Sequence, residues 1–173
     1  YDCVKTTGEL VKEDRYFSGF TKIIVEDNIN LILVQELSGK IIVEAGTNLL
    51  PKISCYSEGN TLTVKNKNTC NWIRDYDVPI NVYVDVNQIT DITQIGYGKL
   101  GTDGEVTTDT LRFQTLGFGD VDLQLRTAYV GFIADEKVTV KITGTTDKVD
   151  AYVFKNAEVD LSGLISPFAQ IRQ

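Results

Sequence analysis

Four stretches of the chain after residue 88 repeat one another. Stacked on a common turn position (Gly98, Gly119, Glu136 and Ala157), they recur at intervals that shorten once, between Gly119 and Glu136. Two positions after the turn every stretch carries an aliphatic residue: Leu100, Val121, Val138 and Val159. Four positions after it three do so, Leu123, Val140 and Leu161, with Thr102 the exception. Three positions before the turn stand Ile95, Leu116, Ile133 and Phe154, and six before it Ile92, Phe113, Val130 and Ala151. Units this short leave no room for a helix pair, and their apolar residues follow the period of two that lines one face of a strand. A single unit cannot bury its own apolar face, so its neighbours must supply the core. The pattern predicts a short β-solenoid (β-helix) with these residues pointing inward, the short Gly119–Glu136 interval being a unit with a trimmed third side. An antiparallel meander with regular hairpins is the alternative.

The first half of the chain also reads as strands. Ile23, Val25, Ile29, Leu31 and Leu33 alternate with polar residues and are interrupted by Glu26-Asp27-Asn28, which predicts a strand, a polar turn and a second strand. Ile41-Ile42-Val43 follows the Ser38-Gly39 break, and Val78, Ile80, Val82, Val84 and Val86 keep strict alternation. Asn48–Lys52 is the one stretch with the look of a helical turn, limited by Pro51. At 173 residues the chain suits a single all-β domain. Its expected parts are an N-terminal β-sheet cap over 1–87, the solenoid over 88–165 and a tail over 166–173.

Composition excludes several kinds of function. A net charge of −7, with no Lys/Arg cluster, disfavours nucleic acid and anionic membrane surfaces. No apolar run approaches the ~18 residues of a membrane span. Histidine is absent altogether, which removes Ser-His-Asp and Cys-His nucleophiles, zinc-binding HExxH helices and the commonest general base. Gly96-Tyr97-Gly98 and Gly117-Phe118-Gly119 lack the helix and Lys-Ser/Thr of a phosphate loop, and are expected to be tight corners. No cofactor is expected, and no Asp-x-Asp-x-Asp-Gly calcium loop occurs.

Three cysteines leave one over if a single disulfide forms. Cys55 lies on the face that Ile53 shares with Leu62 and Val64 across the Gly59-Asn60 turn, and is expected to be a small buried hydrophobe. Cys3 and Cys70 stand in polar, irregular surroundings and are the candidate disulfide. Three free thiols and other pairings are the alternatives. The chain contains no methionine, which agrees with removal of a signal segment and with export.

Tyr97 and Phe118 occupy the same place at consecutive turn tips, between glycines that cannot shield them. Stacked exposed aromatics suit recognition of a sugar or a protein partner, and folding back over an edge is the alternative. Lys99, Asp120, Lys137 and Glu158 fall one position after the turn and alternate in sign. On successive rungs about 4.8 Å apart they would form a ladder of opposite charges. A groove for a charged polymer is one reading of that ladder. Register-setting surface electrostatics, at about 0–1 kcal/mol per pair, is the other. Asp120, Asp122 and Asp135 are the residues that a polysaccharide-cleaving site on the flank would use; Asp122 aligns with Thr139 and Asp160 at an outward position. Tyr76, near Trp72-Ile73-Arg74-Asp75, is a further candidate for a surface patch or for cover of the junction with the N-terminal sheet.

With these residues in place, the chain resembles the putative auto-transporter adhesin, head GIN domain family. Arg15-Tyr16-Phe17-Ser18-Gly19-Phe20-Thr21-Lys22-Ile23 is similar to its opening R-x-x-x-x-F-x-x-I element. Asn48-Leu49-Leu50-Pro51-Lys52-Ile53 is similar to its N-L-L-x-x-I element, and Gly59-Asn60-Thr61-Leu62 to the hairpin that follows. The Gly96–Gly98 and Gly117–Gly119 corners resemble the family's Gly-Ser-Gly repeats, with Tyr97 and Phe118 replacing the small central residue. The third and fourth units depart from that pattern at Asp135-Glu136 and Asn156-Ala157. The resemblance covers residues 13–165. It implies a β-helix-like fold in an envelope or secreted protein of Bacteroidetes-type bacteria, often lipid-anchored, and it offers no catalytic residues to carry over.

The expected function is therefore that of a non-catalytic, adhesin-like binding module of the cell envelope, recognising a glycan or a surface partner. A polysaccharide-active enzyme and a ligand-free structural spacer are the alternatives. Exposed end rungs can pair edge to edge, which allows an oligomer.

Overall fold

The computed structural model describes residues 6–37, 39–68 and 78–173. The strands in chain order are β1 (Leu10–Tyr16), β2 (Lys22–Asp27), β3 (Ile29–Val34), β4 (Lys40–Gly46), β5 (Ile53–Glu58), β6 (Thr61–Asn66), β7 (Ile80–Asp85) and β8 (Asp91–Gly96). There follow β9 (Leu100–Thr102), β10 (Val106–Leu116), β11 (Val121–Asp135), β12 (Thr139–Val153), β13 (Glu158–Asp160), β14 (Leu164–Ile165) and β15 (Phe168–Arg172). Helical structure among the described residues amounts to the single turns Leu50–Lys52, with Pro51 in its first turn, and Val86–Gln88. The protein is all-β. Phe168–Arg172, expected in the tail, form the strand β15 alongside β12.

All fifteen strands belong to one curled sheet. From β8 onward the pairing among β8, β10, β11, β12 and β15 is parallel, which rules out the antiparallel meander for this half. The first half enters the same sheet: β2 lies parallel between β6 and β8, and β3 lies parallel between β7 and β9. Among the described residues antiparallel pairing occurs at the two ends of the strand order, with β1 on β4 and β4 on β7 at one and β5 on β6 at the other. Spatial order therefore departs from chain order, since the early pair β2 and β3 is inserted between the later β6–β7 and β8–β9.

Two inward rows of side chains cross nearly the whole molecule. One runs Val43, Val82, Leu31, Leu100, Val121, Val140 and Val159, and the first six are buried. The other runs Leu62, Ile23, Ile92, Phe113, Phe132, Ala151 and Ile171, and again the first six are buried. The Phe113 and Phe132 rings stack within this row at 5.0 Å and 5°. Each row gains from its neighbours the burial that no single strand could provide.

This register corrects the sequence alignment in its third unit. Val140, not Val138, stands opposite Val121, and Phe132, not Val130, stands opposite Phe113. Along Leu100, Val121, Val140 and Val159 the intervals are nearly equal, and the trimmed third side disappears. The physical reason is the strand period: a slip of two positions leaves every side chain on its own face, so hydrophobicity cannot detect it. The strand pairing fixes the register. At the equivalent turn positions Asp27, Gly96, Glu136 and Lys155 have positive φ (66°, 114°, 68° and 51°), and Gly117 does not. A second correction concerns facing. Leu116 and Phe154, expected inside with Ile95 and Ile133, are exposed, and the inward neighbours at those places are Gln94, Thr115, Ala134 and Val153.

The long strands β10, β11 and β12 change the phase of their alternation once. In β11 the buried side chains are Val121, Leu123, Leu125 and Thr127, then Val130, Phe132 and Ala134, and Gly131 is buried within the last group. The shift falls at Ala128-Tyr129, and the equivalent residues in the neighbours are Asp109-Thr110 and Asp147-Lys148. One extra residue of this kind bends a strand while keeping the core face inward. The Thr127 hydroxyl braces the bend, donating to the Asp109 carbonyl at 3.0 Å and accepting from the Tyr129 amide at 3.3 Å.

Cys55 in β5 pairs with Val64 in β6 and carries a free thiol. It is half-buried and accepts a hydrogen bond from the Arg15 guanidinium at 3.1 Å, a polar contact that a simple hydrophobe would lack. Burial pushes its thiol pKa up. Cys3, Cys70 and the Trp72–Tyr76 stretch lie outside the described residues.

Candidate functional site

The corners between β8 and β9 and between β10 and β11 are built from the two Gly-x-Gly triplets. Their glycines are required by close approach. A Cβ on Gly98 would lie 1.8 Å from the Ile29 carbonyl oxygen, and one on Gly119 would lie 1.6 Å from that of Gly98. Gly117 is pressed equally hard on Gly96, at 2.1 Å from its carbonyl oxygen. The Phe118 amide donates to the Gly96 carbonyl at 2.7 Å, and the Tyr97 amide donates to that of Asp27 at 2.8 Å. Successive corners are therefore stacked backbone on backbone.

The central side chains of the triplets have only one direction left, outward. Tyr97 is 71% exposed and Phe118 51% exposed. Their rings stack on each other with centroids 5.6 Å apart and planes 18° from parallel. Neither folds back over an edge. Leu116 extends the apolar surface on the β10 side of the same corner and is itself exposed. Sequence reasoning assigned Leu116 to the core; the glycine directly after it, packed against a backbone, was the signal that the corner begins there.

The expected charge ladder is rearranged by the corrected register. The row one position after the corner is Lys99, Asp120, Thr139 and Glu158, because Thr139 pairs with Glu158 and its amide donates to Asp120 Oδ1 at 3.0 Å. Lys137 moves two places back, into the tip row of Tyr97 and Phe118. Among the described residues no ion pair joins any two of Lys99, Asp120, Lys137 and Glu158. Alternating charge appears instead one row on, at Asp122, Lys141 and Asp160. Asp160 lies below its ordinary carboxylate pKa, chiefly through hydrogen bonds from Ser162 and with a smaller contribution from Lys141.

The three carboxylates of the enzymatic alternative are separated by the corner. Asp120 and Asp122 follow it at the start of β11, whereas Asp135 lies beside Leu116, ahead of it. Asp135 is engaged by Lys155 at 3.4 Å and accepts from the Glu136 amide at 2.9 Å. Lys155 also pairs with Glu136. Among the described residues no group of three or more His, Cys, Asp and Glu side chains is placed to hold a metal ion, and no helix is long and apolar enough to cross a membrane.

A family model described as putative auto-transporter adhesin, head GIN domain, matches residues 19–173. The chain belongs to that family. The resemblance seen in the sequence over 13–165 thus extends through β15. No curated protein matches the chain significantly. Among solved structures, the head GIN domain is similar to a putative adhesin from Bacteroides fragilis, with 19% identity and a TM-score of 0.81, over 94% of this chain and 75% of that one. A putative adhesin from Parabacteroides merdae matches at 16% identity and a TM-score of 0.62, over 97% of this chain and 79% of that one. A protein from Parabacteroides distasonis described as a putative lipid binding protein matches at 11% and 0.66, over 95% and 78%. At these identities the likeness is one of fold. What the head GIN domain binds must be argued from its own surface.

Proposed function

We propose that this head GIN domain is a non-catalytic binding module of the cell envelope or the extracellular space, wound as a single domain into a short β-solenoid with an N-terminal β-sheet cap. Its recognition edge is the Tyr97–Phe118 stack. The solenoid winding is supported by the long inward rows and by corners that recur at nearly regular intervals. Envelope placement and adhesion draw their support from the family.

One observation carries the site: two large aromatic rings are held together in water by backbones that admit no neighbouring side chain. Leaving them exposed forgoes a stabilisation of about 1.5–3 kcal/mol for each ring that burial would give. Rings held parallel on a rigid corner are already ordered for binding, so little conformational entropy is lost when a partner docks. A flat aromatic face suits the C–H face of a sugar ring or an apolar patch on a surface protein. Leu116 adds apolar area on one side and Lys137 adds a cation on the other.

The test is retention of the purified domain on a broad glycan and mucin array, beside a Tyr97→Ala/Phe118→Ala double variant. Selective retention is expected for the wild type and its loss is expected for the folded double variant. Equal retention of both proteins would remove the site from this corner.

A further inference from the structure

A second surface feature lies beyond the corner, on the outer face of β8, β10, β11 and β12. The outward row there is Asp91, Arg112, Gly131, Asp150 and Gln170. A groove of about 290 Å³ runs along this row, bordered by Asp91, Arg112, Tyr129, Asp150 and Tyr152. Its size is at the lower end of small-molecule sites. Tyr129, just past the bend of β11, lies back over Gly131: a Cβ there would meet the Tyr129 hydroxyl at 2.6 Å. The glycine is extended backbone, so it serves space and not conformation.

The polar groups around this groove are incompletely satisfied. Asp150 Oδ2 is paired with Lys148 at 2.8 Å, while Oδ1 is shielded from water and the Tyr129 hydroxyl is the other donor beside the carboxylate. The Lys148 hydrogen bond, with a smaller contribution from the nearby Tyr129 hydroxyl, holds Asp150 below the usual carboxylate range, so Oδ1 can only accept. Burial and the Asp150 carboxylate push the Tyr129 phenol up, which keeps its hydroxyl protonated. Arg112 is held only loosely, 3.9 Å from Asp91, with its guanidinium 5.6 Å from the centre of the Tyr129 ring. Arg172 lies over one face of Tyr152 at 4.8 Å.

We propose that this groove is a binding site for a neutral, hydroxyl-rich ring, a pyranose unit of a glycan, independent of the Tyr97–Phe118 edge. The balance of charge selects the class. A cationic ligand meets Arg112, Lys148 and Arg172, and an anionic one meets Asp91 and Asp150. A sugar hydroxyl both donates and accepts, so one ring can donate to Asp150 Oδ1 and Asp91 while accepting from Arg112. Tyr152, covered by Arg172 on one face, supplies aromatic surface for its C–H face with the other, while Arg112 and Lys148 lie over Tyr129. The donors beside this carboxylate are Lys148 and the Tyr129 hydroxyl, and a ligand hydroxyl aimed at Oδ1 adds a third.

The experiment is amide NMR of the full chain during titration with the methyl glycosides of galactose, glucose, mannose and N-acetylglucosamine. Tetramethylammonium and inorganic phosphate serve as cationic and anionic probes. The expected result is saturable shifts at Tyr129, Gly131, Asp150 and Tyr152 with at least one glycoside. These should persist in the Tyr97→Ala/Phe118→Ala variant and weaken about tenfold or more in Asp150→Asn. Persistence in the double variant separates this site from the corner, so either reading can fail alone. Arg112→Gln, on the exposed wall, gives the same test should Asp150→Asn not fold. No saturable shift with any glycoside, shifts with tetramethylammonium or phosphate alone, or an affinity unchanged by either substitution would overturn the proposal.

Discussion

Gly119→Ala is expected to lower the unfolding free energy by about 3 kcal/mol or more, and to leave little folded protein at physiological temperature. Its new methyl group would be placed 1.6 Å from the carbonyl oxygen of Gly98. That neighbour is backbone in the stacked corner below, so no side chain can rotate away. Relief requires the two corners to part, which pulls on the hydrogen bond from Leu100 N to the Asp120 carbonyl and on the Leu100–Val121 pairing beyond it. Denaturant unfolding of wild type and variant checks the figure. The control is Gly104→Ala, which has positive φ but open space around it and should cost only about 1 kcal/mol. Equal losses at the two glycines would mean that conformation, not contact, dictates the residue.

Leu123→Ala is expected to cost about 2–5 kcal/mol, whereas Leu116→Ala should stay within about 0.5 kcal/mol. Leu123 is fully buried and faces Ile142 of the next strand, so truncation leaves a cavity between packed layers that are pinned by their own ladders. Leu116 is 41% exposed on the outer face. The two leucines stand on either side of one corner and look alike in composition and periodicity. Comparison of their unfolding midpoints and slopes measures facing directly. A large loss for Leu116→Ala would restore the inward assignment that the strand pattern alone suggests.

That contrast marks how far the residues speak for themselves. The all-β class was legible because alternation recurs in both halves of the chain and glycine corners mark the first two units after residue 88, and the family because its elements occur in order from Arg15 to the Gly-x-Gly triplets. Tyr97 and Phe118 were legible as a pair because glycine-flanked triplets in successive units bring the same position to the surface twice. The third unit was placed wrongly for the reason that makes strands robust: Val138 and Val140, or Val130 and Phe132, serve equally well under a two-position slip. The strand pairing settles the register, and the positive φ of Glu136 and Lys155 at the turns that follow is announced by neither residue type. The insertion of β2 and β3 between β6–β7 and β8–β9 had no local trace, since parallel pairing across long separations depends on packing that no short window contains. Gly131 was overlooked although it carried a signal. A glycine inside a strand pattern marks a close approach, and here the approaching group is Tyr129.

The role of the corner is tested most directly by affinity. Wild type, Tyr97→Ala, Phe118→Ala and the double variant would be titrated with the glycan or mucin that the wild type retains most strongly, with thermal midpoints recorded in parallel. Each ring is expected to account for about tenfold in Kd or more, as central aromatic contacts do, with all four midpoints alike because neither ring is buried. Four equal affinities, or no ligand retained by the wild type, would contradict a recognition role for the Tyr97–Phe118 stack.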